Sequence, residues 1–234
     1  MIVEKVTDFQ NVIRQIDRFW ALLTSVEKQF VLSSICVQSY KKNERIYCEG
    51  QNPDSLYGVL TGKVKICRDG VGRRNQIIRV LRPVQFFGYR AALANEPYST
   101  AAAALEPTTL CSIPMDVITN ILAKNNSFCQ FLMHELAIDL GVADRRTVSL
   151  TQKHIRGRLA DSLLFLKDAY GLDPEDETLG IRLSREDLAN LSNMTTANAI
   201  RTLSTFAMEG LLTIDGRKIK ILNEDKLKRI SQIG

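Results

Sequence analysis

The spacing of apolar residues changes along the chain and divides it into helical and strand-like regions. Between residues 8 and 40 the apolar positions recur every three or four residues, which predicts short helices, and Thr24 followed by Glu27 is a capping signal for one of them. The apolar positions of this region include Phe19, Leu22, Leu23, Val26 and Phe30. From Arg45 to Ile113, short alternating runs are separated by glycines, which predicts a rolled antiparallel sheet of many short strands.

Residues 126–150 contain no proline and only one glycine, and they predict one long helix. A seven-residue repeat of apolar or small side chains runs along it. Its members are Cys129, Met133, Leu136, Leu140, Ala143, Thr147 and Leu150. A stripe this narrow suits a partner helix, so we predict a dimer seam, although the same stripe could instead pack on the chain's own β-region.

A second helical pattern begins near Ile155 and ends near Gly171. The acidic residues of segment 173–177 follow it, and we expect this segment to be a solvated loop outside any site.

Residues 184–207 predict two short helices joined by a tight polar turn, which is a helix-turn-helix. Ser184 is the expected N-cap of the first helix, with Asp187 placed to bond back to it, and Thr195 is the expected N-cap of the second. The second helix is expected to bury Ala197, Ile200, Leu203, Phe206 and Ala207. Its polar side is expected to consist of Thr196, Asn198, Arg201, Thr202 and Thr205.

Residues 211–221 predict a two-stranded hairpin that completes a winged helix. A helix in the major groove needs short polar side chains and Arg, because Arg can bond a guanine edge, Asn an adenine edge, and a Thr methyl can pack on thymine. We therefore predict base contacts from Thr196, Asn198 and Arg201. The predicted phosphate contacts, at helix N-termini and at the wing tip, are Ser184, Arg185, Thr195, Arg217 and Lys218. The alternative is a ligand-binding β-roll protein whose winged helix contacts protein.

Composition is typical of a soluble globular protein, and the basic residues are distributed so that a nucleic acid could use them, although their overall excess is small. The 234 residues carry 31 Lys and Arg against 26 Asp and Glu, a net charge of +5, and bases outnumber acids in the region after residue 177. No apolar run approaches the roughly 20 residues of a spanning helix, and no signal-peptide core follows the N-terminus, so we expect a cytoplasmic protein.

Chemistry-bearing residues are sparse. The 5 cysteines have neither the pattern of a disulfide framework nor metal-knuckle spacing, and we expect small buried hydrophobes. With 2 histidines, no Ser-His-Asp arrangement and no phosphate loop, the sequence predicts no catalytic residues, no metal site and no enzyme.

The succession of a glycine-punctuated β-roll, a long helix and a winged helix resembles the CRP-FNR superfamily of bacterial transcription regulators. The resemblance covers nearly the whole chain. Its most specific stretches are residues 50–64, 87–101, 157–160 and 183–189.

This resemblance implies an α+β fold with an N-terminal double-stranded β-helix, or jelly-roll, sensor domain and a C-terminal winged helix-turn-helix. It places a sensor domain at 1–150, including a dimerisation helix at about 126–150, and a DNA-binding domain at 151–234. It also implies a homodimer that binds a palindromic double-stranded operator, contacts RNA polymerase and has no membrane partner. The effector would bind in the β-roll and shift the hinge between the domains.

The implied effector pocket departs from the family's cyclic-AMP pattern. Its residues are Gly88, Tyr89, Arg90, Ser99, Thr100, Ala143 and Asp144. Cyclic-AMP-binding members carry an acid for the ribose and an Arg for the phosphate, whereas this chain has Tyr89 and Ser99 there, and Arg90, one residue away, is expected to point elsewhere. We therefore expect an effector other than cyclic AMP, and its identity, or its existence, stays open.

Redox or haem sensing is the other open alternative. Iron–sulfur members need an N-terminal cysteine cluster, and Cys36 and Cys48 do not supply one. His134 could be an axial haem ligand but is more simply a structural residue, and no cofactor is assigned. In the DNA-contacting helix only Arg201 matches the family pattern, so the operator sequence and the sign of regulation stay open.

Overall fold

The computed structural model describes residues 16–70 and 75–233. They form two compact units, the first made of residues 16–70 and 78–140 and the second of residues 75–77 and 141–233.

The first unit begins with helices α1 (Asp17–Trp20) and α2 (Ser25–Ser34). The predicted capping box is confirmed: the backbone N–H of Thr24 donates to Glu27 Oε2 at 2.7 Å, and the backbone N–H of Glu27 donates to Thr24 Oγ1 at 3.3 Å. This pair satisfies two donors that a helix start would otherwise leave open. The part of the predicted helical region before residue 16 lies outside the described residues.

One feature of that helical prediction is wrong. Residues Cys36–Tyr40 form strand β1 instead of continuing the helix, because they pair over five residues with a later strand. Of the apolar residues in this region, Phe19 and Leu23 are buried, whereas Val26 and Phe30 are 66% and 60% exposed.

The β-roll consists of two four-stranded sheets with orders β1-β8-β3-β6 and β2-β7-β4-β5. The strands after β1 are β2 (Arg45–Tyr47), β3 (Ser55–Thr61), β4 (Val64–Asp69), β5 (Asn75–Leu81), β6 (Phe86–Phe87), β7 (Ala101–Ala104) and β8 (Thr108–Pro114). The β1–β8, β3–β8 and β4–β7 pairings are antiparallel, which confirms the predicted rolled antiparallel sheet.

The core of the roll combines very small and very large side chains. All four alanines of β7 are buried in the middle of their sheet, where β2 and β4 flank them. In another part of this core, the Phe19 ring stacks on Phe86 at 5.4 Å between centroids and meets Phe128 edge-on at 5.0 Å. Fully burying such a side chain stabilises a fold by roughly 1.5–3 kcal/mol, so these contacts fix α1 to the roll.

Helices follow and interrupt the strands. Helix α3 (Tyr89–Leu93) and helix α4 (Met115–Leu122) were not predicted, whereas the long helix is confirmed as α5 (Asn126–Gln152). Phe128 and Leu132 of α5 enter the core of the roll, and further along the helix Asp139 pairs with Arg79 at 2.5 Å.

The second unit holds the predicted winged helix. Its elements are α6 (Ile155–Tyr170), α7 (Arg185–Leu191), α8 (Thr196–Met208), β9 (Leu212–Asp215), β10 (Lys218–Ile221) and α9 (Glu224–Ile233). Gly171, with φ +67°, ends α6 as predicted. Helix α9 was not predicted; it packs on α6 and buries Leu227. The predicted fold class is confirmed.

Candidate DNA-binding surface and effector pocket

The start of α7 is fixed by its N-cap, Ser184. The backbone N–H of Asp187 donates to Ser184 Oγ at 3.0 Å, and the Ser184 hydroxyl donates to Asp187 Oδ2 at 2.6 Å. The predicted cap is therefore confirmed, and the Ser184 hydroxyl already serves as both donor and acceptor. The next residue, Arg185, donates from Nη2 to the carbonyl oxygen of Gly216 at 2.7 Å, which ties the start of α7 to the wing turn.

The turn between α7 and α8 is held by buried and backbone contacts. Ser192 is buried and its hydroxyl donates to Ser162 Oγ at 2.8 Å. Asn193 has φ +49°, a left-handed conformation that Asn tolerates better than most residues, and the N–H of Met194 donates to the carbonyl of Ala189 at 3.0 Å. These contacts set the angle at which α8 leaves the turn.

Thr195 is the N-cap of α8, as predicted: the backbone N–H of Asn198 donates to its Oγ1 at 3.2 Å. At the other end of the helix, the N–H of Leu211 donates to the carbonyl of Phe206 at 2.9 Å, and Gly210 adopts φ +69°, which lets the chain reverse into the wing.

The faces of α8 differ from the prediction. Its buried residues are Ala199, Thr202, Leu203 and Phe206. Thr202, predicted on the polar side, is 8% exposed, and Ile200, predicted to face inward, is 47% exposed. Each residue turns a helix by about 100°, so a buried face centred on Ala199, Leu203 and Phe206 necessarily turns Ile200 outward.

The exposed side of α8 is a mixed polar and apolar surface. Its exposed residues include Thr196, Ala197, Ile200, Arg201 and Ser204, with Asn198 and Thr205 half-buried at the edges. Sequence reasoning thus placed Thr196 and Arg201 correctly on the surface but missed Ala197, Ile200 and Ser204. A helical projection anchored on Phe206 and Leu203, rather than on every apolar residue, would have found them.

The wing presents Arg217 at its tip and two lysines along β10. Gly216, with φ +54°, and Arg217 form the two-residue turn, and Arg217 is exposed. Lys218 is paired with Asp176 at 2.5 Å and Lys220 with Glu177 at 2.6 Å. The acidic loop, residues 173–177, is mostly exposed, as expected of a solvated loop, but two of its carboxylates pair with wing lysines.

The predicted effector residues of the roll surround the start of α3. Gly88 is the N-cap of α3 with φ +91°, and a Cβ there would come within 2.7 Å of Tyr57 Cδ2 and 2.8 Å of the Ser55 carbonyl oxygen, so only glycine fits. Tyr89 is buried, and burial raises the pKa of its phenol. A neutral, buried tyrosine ring therefore occupies the position at which the cyclic-AMP pattern has an acid.

Arg90 contradicts the expectation that it points away. Its Nη2 donates to Ser99 Oγ at 3.1 Å and lies 2.7 Å from Glu96 Oε1. The side chain starts in α3 rather than in a strand, and the helical geometry carries the guanidinium to the Ser99 position. The positive charge missing from residue 99 is thus supplied by Arg90, but a carboxylate opposes it.

Stacked tyrosines fill the roll next to these residues. Tyr47 stacks on Tyr98 with centroids 3.7 Å apart and planes 10° from parallel. Burial raises the pKa of the Tyr47 phenol, and a hydrogen bond between its side chain and Thr100 offsets part of this increase. Tyr98 is 4% exposed, and its hydroxyl has no hydrogen-bond partner among the described residues.

The remaining predicted effector residues, Ala143 and Asp144, lie on α5 in the second unit and are exposed. Along the predicted dimer seam of α5, Met133 is 55% exposed and Leu140 63%. Ala143 and Thr147 are also exposed, and Cys129, Leu136 and Leu150 are half-buried. The polar group of Thr147 is satisfied within the helix, since its hydroxyl donates to the Ala143 carbonyl at 2.9 Å.

Cysteine and histidine positions differ in exposure. Cys67 and Cys111 are buried as expected, whereas Cys36 is exposed and Cys48 and Cys129 are half-buried. His134 is exposed on α5. In residues 16–70 and 75–233, no three His, Cys, Asp or Glu side chains are grouped to hold a metal ion. None of the helices described there is long and apolar enough to cross a membrane.

Two family models match the chain and together cover most of it. Residues 37–125 match the cyclic nucleotide-binding domain, and residues 157–230 match the Crp-like helix-turn-helix domain. With the antiparallel roll, the long helix and the winged helix in place, the chain belongs to the CRP-FNR family of transcription regulators. Members of this family bind DNA and act as dimers, and they are regulators rather than enzymes.

Individual relatives are distant. The CRP-like cAMP-activated global transcriptional regulator of Mycobacterium tuberculosis is 24% identical over 192 residues, which is 81% of this chain and 85% of that protein. The cGMP-dependent protein kinase of Eimeria tenella is 34% identical over 107 residues, 46% of this chain and 10% of the kinase. The structure of FixK2 from Bradyrhizobium japonicum is similar with a TM-score of 0.75 at 24% identity, covering 84% of this chain and 96% of that one.

Proposed function

We propose that the chain is a sequence-specific regulator that binds a palindromic duplex as a homodimer, with α8 of each protomer in a major groove. The observation that carries this proposal is the exposed side of α8, where Thr196, Ile200 and Arg201 stand free of the core. A helix of this width fits the major groove, and Arg201 can bond a guanine edge there. Thr196 and Asn198 complete the proposed base contacts, with half-sites about one helical turn apart.

Contacts to the phosphate backbone of the DNA would flank this helix. The N-termini of α7 and α8 offer backbone amides to phosphate oxygens, and Arg185 and Arg217 add positive charge beside the wing turn. The Ser184 and Thr195 hydroxyls act here mainly by holding those N-termini in place. Lys218 is proposed as a further phosphate contact. It pairs with Asp176 in the free protein, so this pair must open before Lys218 can contact a phosphate.

The dimer would form along α5. Met133 and Leu140 are large apolar side chains that the protomer leaves mostly exposed, and they recur at the seven-residue spacing of a two-helix seam. Cys129, Leu136, Ala143, Thr147 and Leu150 would continue the same stripe. A symmetric pair of helices supplies the two-fold axis that a palindromic operator requires.

The effector would not be cyclic AMP. Tyr89 is buried where a ribose-binding acid is needed, and the Arg90 guanidinium is already neutralised by Glu96. Tyr47 and Tyr98 pack tightly beside Thr100, which leaves Gly88, Arg90, Ser99 and Thr100 to meet a different, smaller effector or none. Millimolar cyclic AMP is expected to leave the unfolding temperature unchanged, and a clear increase would contradict this part of the proposal.

The division of labour follows from these sites. We propose a sensor domain at residues 1–150 and a DNA-binding domain at 151–234, with DNA, a second copy of the chain and RNA polymerase as partners in the bacterial cytoplasm. A population shift between two hinge conformations would couple effector and DNA affinity.

A salt titration tests the proposal. Affinity for a duplex of about 30 base pairs should fall steeply as salt rises from about 50 to 200 mM, because each phosphate contact releases counterions. Binding that is absent, or that does not respond to salt, would contradict the proposal and leave the alternative of a winged helix that contacts protein.

A further inference from the structure

The acidic loop, residues 173–177, is attached to the back of the wing by its backbone. Its ends are joined by an antiparallel bridge between Leu172 and Leu179. Leu179 in turn donates its N–H to the carbonyl of Ile219, in the middle of β10, at 2.8 Å. The loop is therefore fixed in position relative to the wing strand before any side chain is considered.

The side chains of the loop face the lysines of β10. Lys218 and Lys220 are two residues apart on a strand, so they project from the same side, while Ile219 is buried on the other. Lys218 Nζ lies 2.5 Å from Asp176 Oδ2, and Lys220 Nζ lies 2.6 Å from Glu177 Oε2. Each lysine of this strand thus has its own carboxylate from the loop.

Asp176 is oriented by its neighbour. The backbone N–H and the hydroxyl of Thr178 both donate to Asp176 Oδ1, at 3.0 and 2.6 Å. With that oxygen occupied, Oδ2 is the one left for Lys218. The hydrogen bond from Lys218 and those from Thr178 lower the pKa of Asp176, so this carboxylate stays charged at neutral pH. Glu177 adopts φ +56°, a left-handed conformation that is uncommon for residues other than glycine. In this conformation its carboxylate lies against Lys220.

Two other charged residues of the wing and the loop, Arg217 and Glu175, take no part in these two ion pairs. Arg217, at the wing tip, contacts no acid among the described residues. Glu175 is exposed at the centre of the loop, and no contact between its carboxylate and a wing lysine is present in that part of the chain.

We propose that the acidic loop is a built-in competitor of DNA phosphate: Asp176 and Glu177 occupy Lys218 and Lys220 in the free protein and keep them from the backbone of non-cognate duplex. This inference rests on the proposed function, since it concerns the same DNA-binding surface. Half-exposed ion pairs are individually weak, so a phosphate backbone that is well positioned by base contacts displaces them, whereas a poorly positioned one does not. The loop thereby restricts strong wing contacts to correctly docked DNA.

The test uses the full-length protein, a random-sequence duplex of about 30 base pairs and a salt titration. The double variant Asp176→Asn, Glu177→Gln should bind this duplex about tenfold more tightly at low salt. The slope of log affinity against log salt should steepen by about 1–2, as expected for one or two additional phosphate contacts. Adding Lys218→Ala and Lys220→Ala to the double variant should remove both gains.

Glu175→Gln is the matched control, because it removes one charge from the same loop without freeing a lysine. If Glu175→Gln matches half of the gain of the double variant, the effect is general net charge and the inference is overturned. An unchanged slope in a correctly folded double variant overturns it as well. Failure of the wild-type chain to bind any duplex in a salt-dependent way would instead reject the proposed function.

Discussion

Arg156, in the first turn of α6, holds Glu209, just past the end of α8, through two parallel hydrogen bonds. Nη1 donates to Oε1 at 2.9 Å and Nη2 to Oε2 at 2.8 Å. The same guanidinium lies 5.0 Å from the centroid of the Phe206 ring. The far end of the proposed DNA-contacting helix is therefore tied to α6 by one residue.

Arg156→Ala should loosen α8. Loss of a partly exposed paired bond and of the ring contact is expected to cost about 0.5–1.5 kcal/mol of local stability. Hydrogen exchange of the α8 amides measures this directly as a faster rate. Arg156→Lys keeps the charge but not the two parallel bonds, so it should fall between wild type and Arg156→Ala. Unchanged exchange in Arg156→Ala would show that other contacts orient α8.

Leu140→Glu should convert the proposed dimer to monomers. Leu140 is 63% exposed on the predicted seam, and a buried unpaired charge at a two-helix interface is strongly unfavourable. Sedimentation velocity reports the change. The matched control is Ile138→Glu, on the same helix and 48% exposed, but about 160° around the axis from Leu140. Equal dissociation by both variants, or by neither, would argue against this seam.

Gly88→Ala should destabilise the roll by more than the backbone strain of a positive φ alone. Gly88 and Gly50 have similar φ angles, +91° and +83°, but a Cβ at Gly50 meets no atom within 4 Å. We expect Gly50→Ala to cost about 1 kcal/mol from backbone strain alone, and Gly88→Ala at least about 2 kcal/mol because of its clash. Trp20, the single tryptophan, packs on the core of the first unit, so its fluorescence during urea unfolding measures both. Equal losses would mean that the roll relaxes around residue 88.

Acid should selectively weaken the attachment of α9. Hydrogen bonds from Lys167 and Lys228 lower the pKa of Glu224 from 4.5 to about 2. A carboxylate with a depressed folded-state pKa stabilises the fold above its unfolded pKa, and the contribution disappears as pH falls through the folded value. Glu224→Gln should therefore lower the unfolding temperature at pH 7, with the difference from wild type shrinking between about pH 4.5 and 2. The exposed Glu186→Gln serves as control, and a pH-independent difference would contradict the linkage.

The sequence predicted the elements better than it predicted their faces. Caps such as Thr24, Ser184 and Thr195 depend on residues within one turn, so local pattern located them. Cys36–Tyr40 became a strand through pairing with β8, and β8 lies about seventy residues away.

The site shows the same division between local and distant causes. Arg201 was identified because any projection of α8 leaves it outside, whereas Ile200 and Thr202 exchanged faces because the core around Phe206 decides the rotation of the helix. Arg90 was misjudged because α3, which directs it to Ser99, has no pattern of its own in the sequence. The pairing of Asp176 with Lys218 joins segments that local reasoning treats separately.

The central claim, that the exposed side of α8 contacts bases, is tested most directly by selecting bound sequences from a random duplex library. Wild type, Ile200→Ala and Arg201→Ala are compared, with Arg217→Ala as the backbone-contact control. Arg201→Ala should cost about 1–3 kcal/mol and relax preference at one base pair of each half-site, and Ile200→Ala should weaken preference for a thymine nearby. Arg217→Ala should leave the selected sequence unchanged while weakening all sequences. A palindromic consensus that both Ile200→Ala and Arg201→Ala retain unchanged would contradict the account.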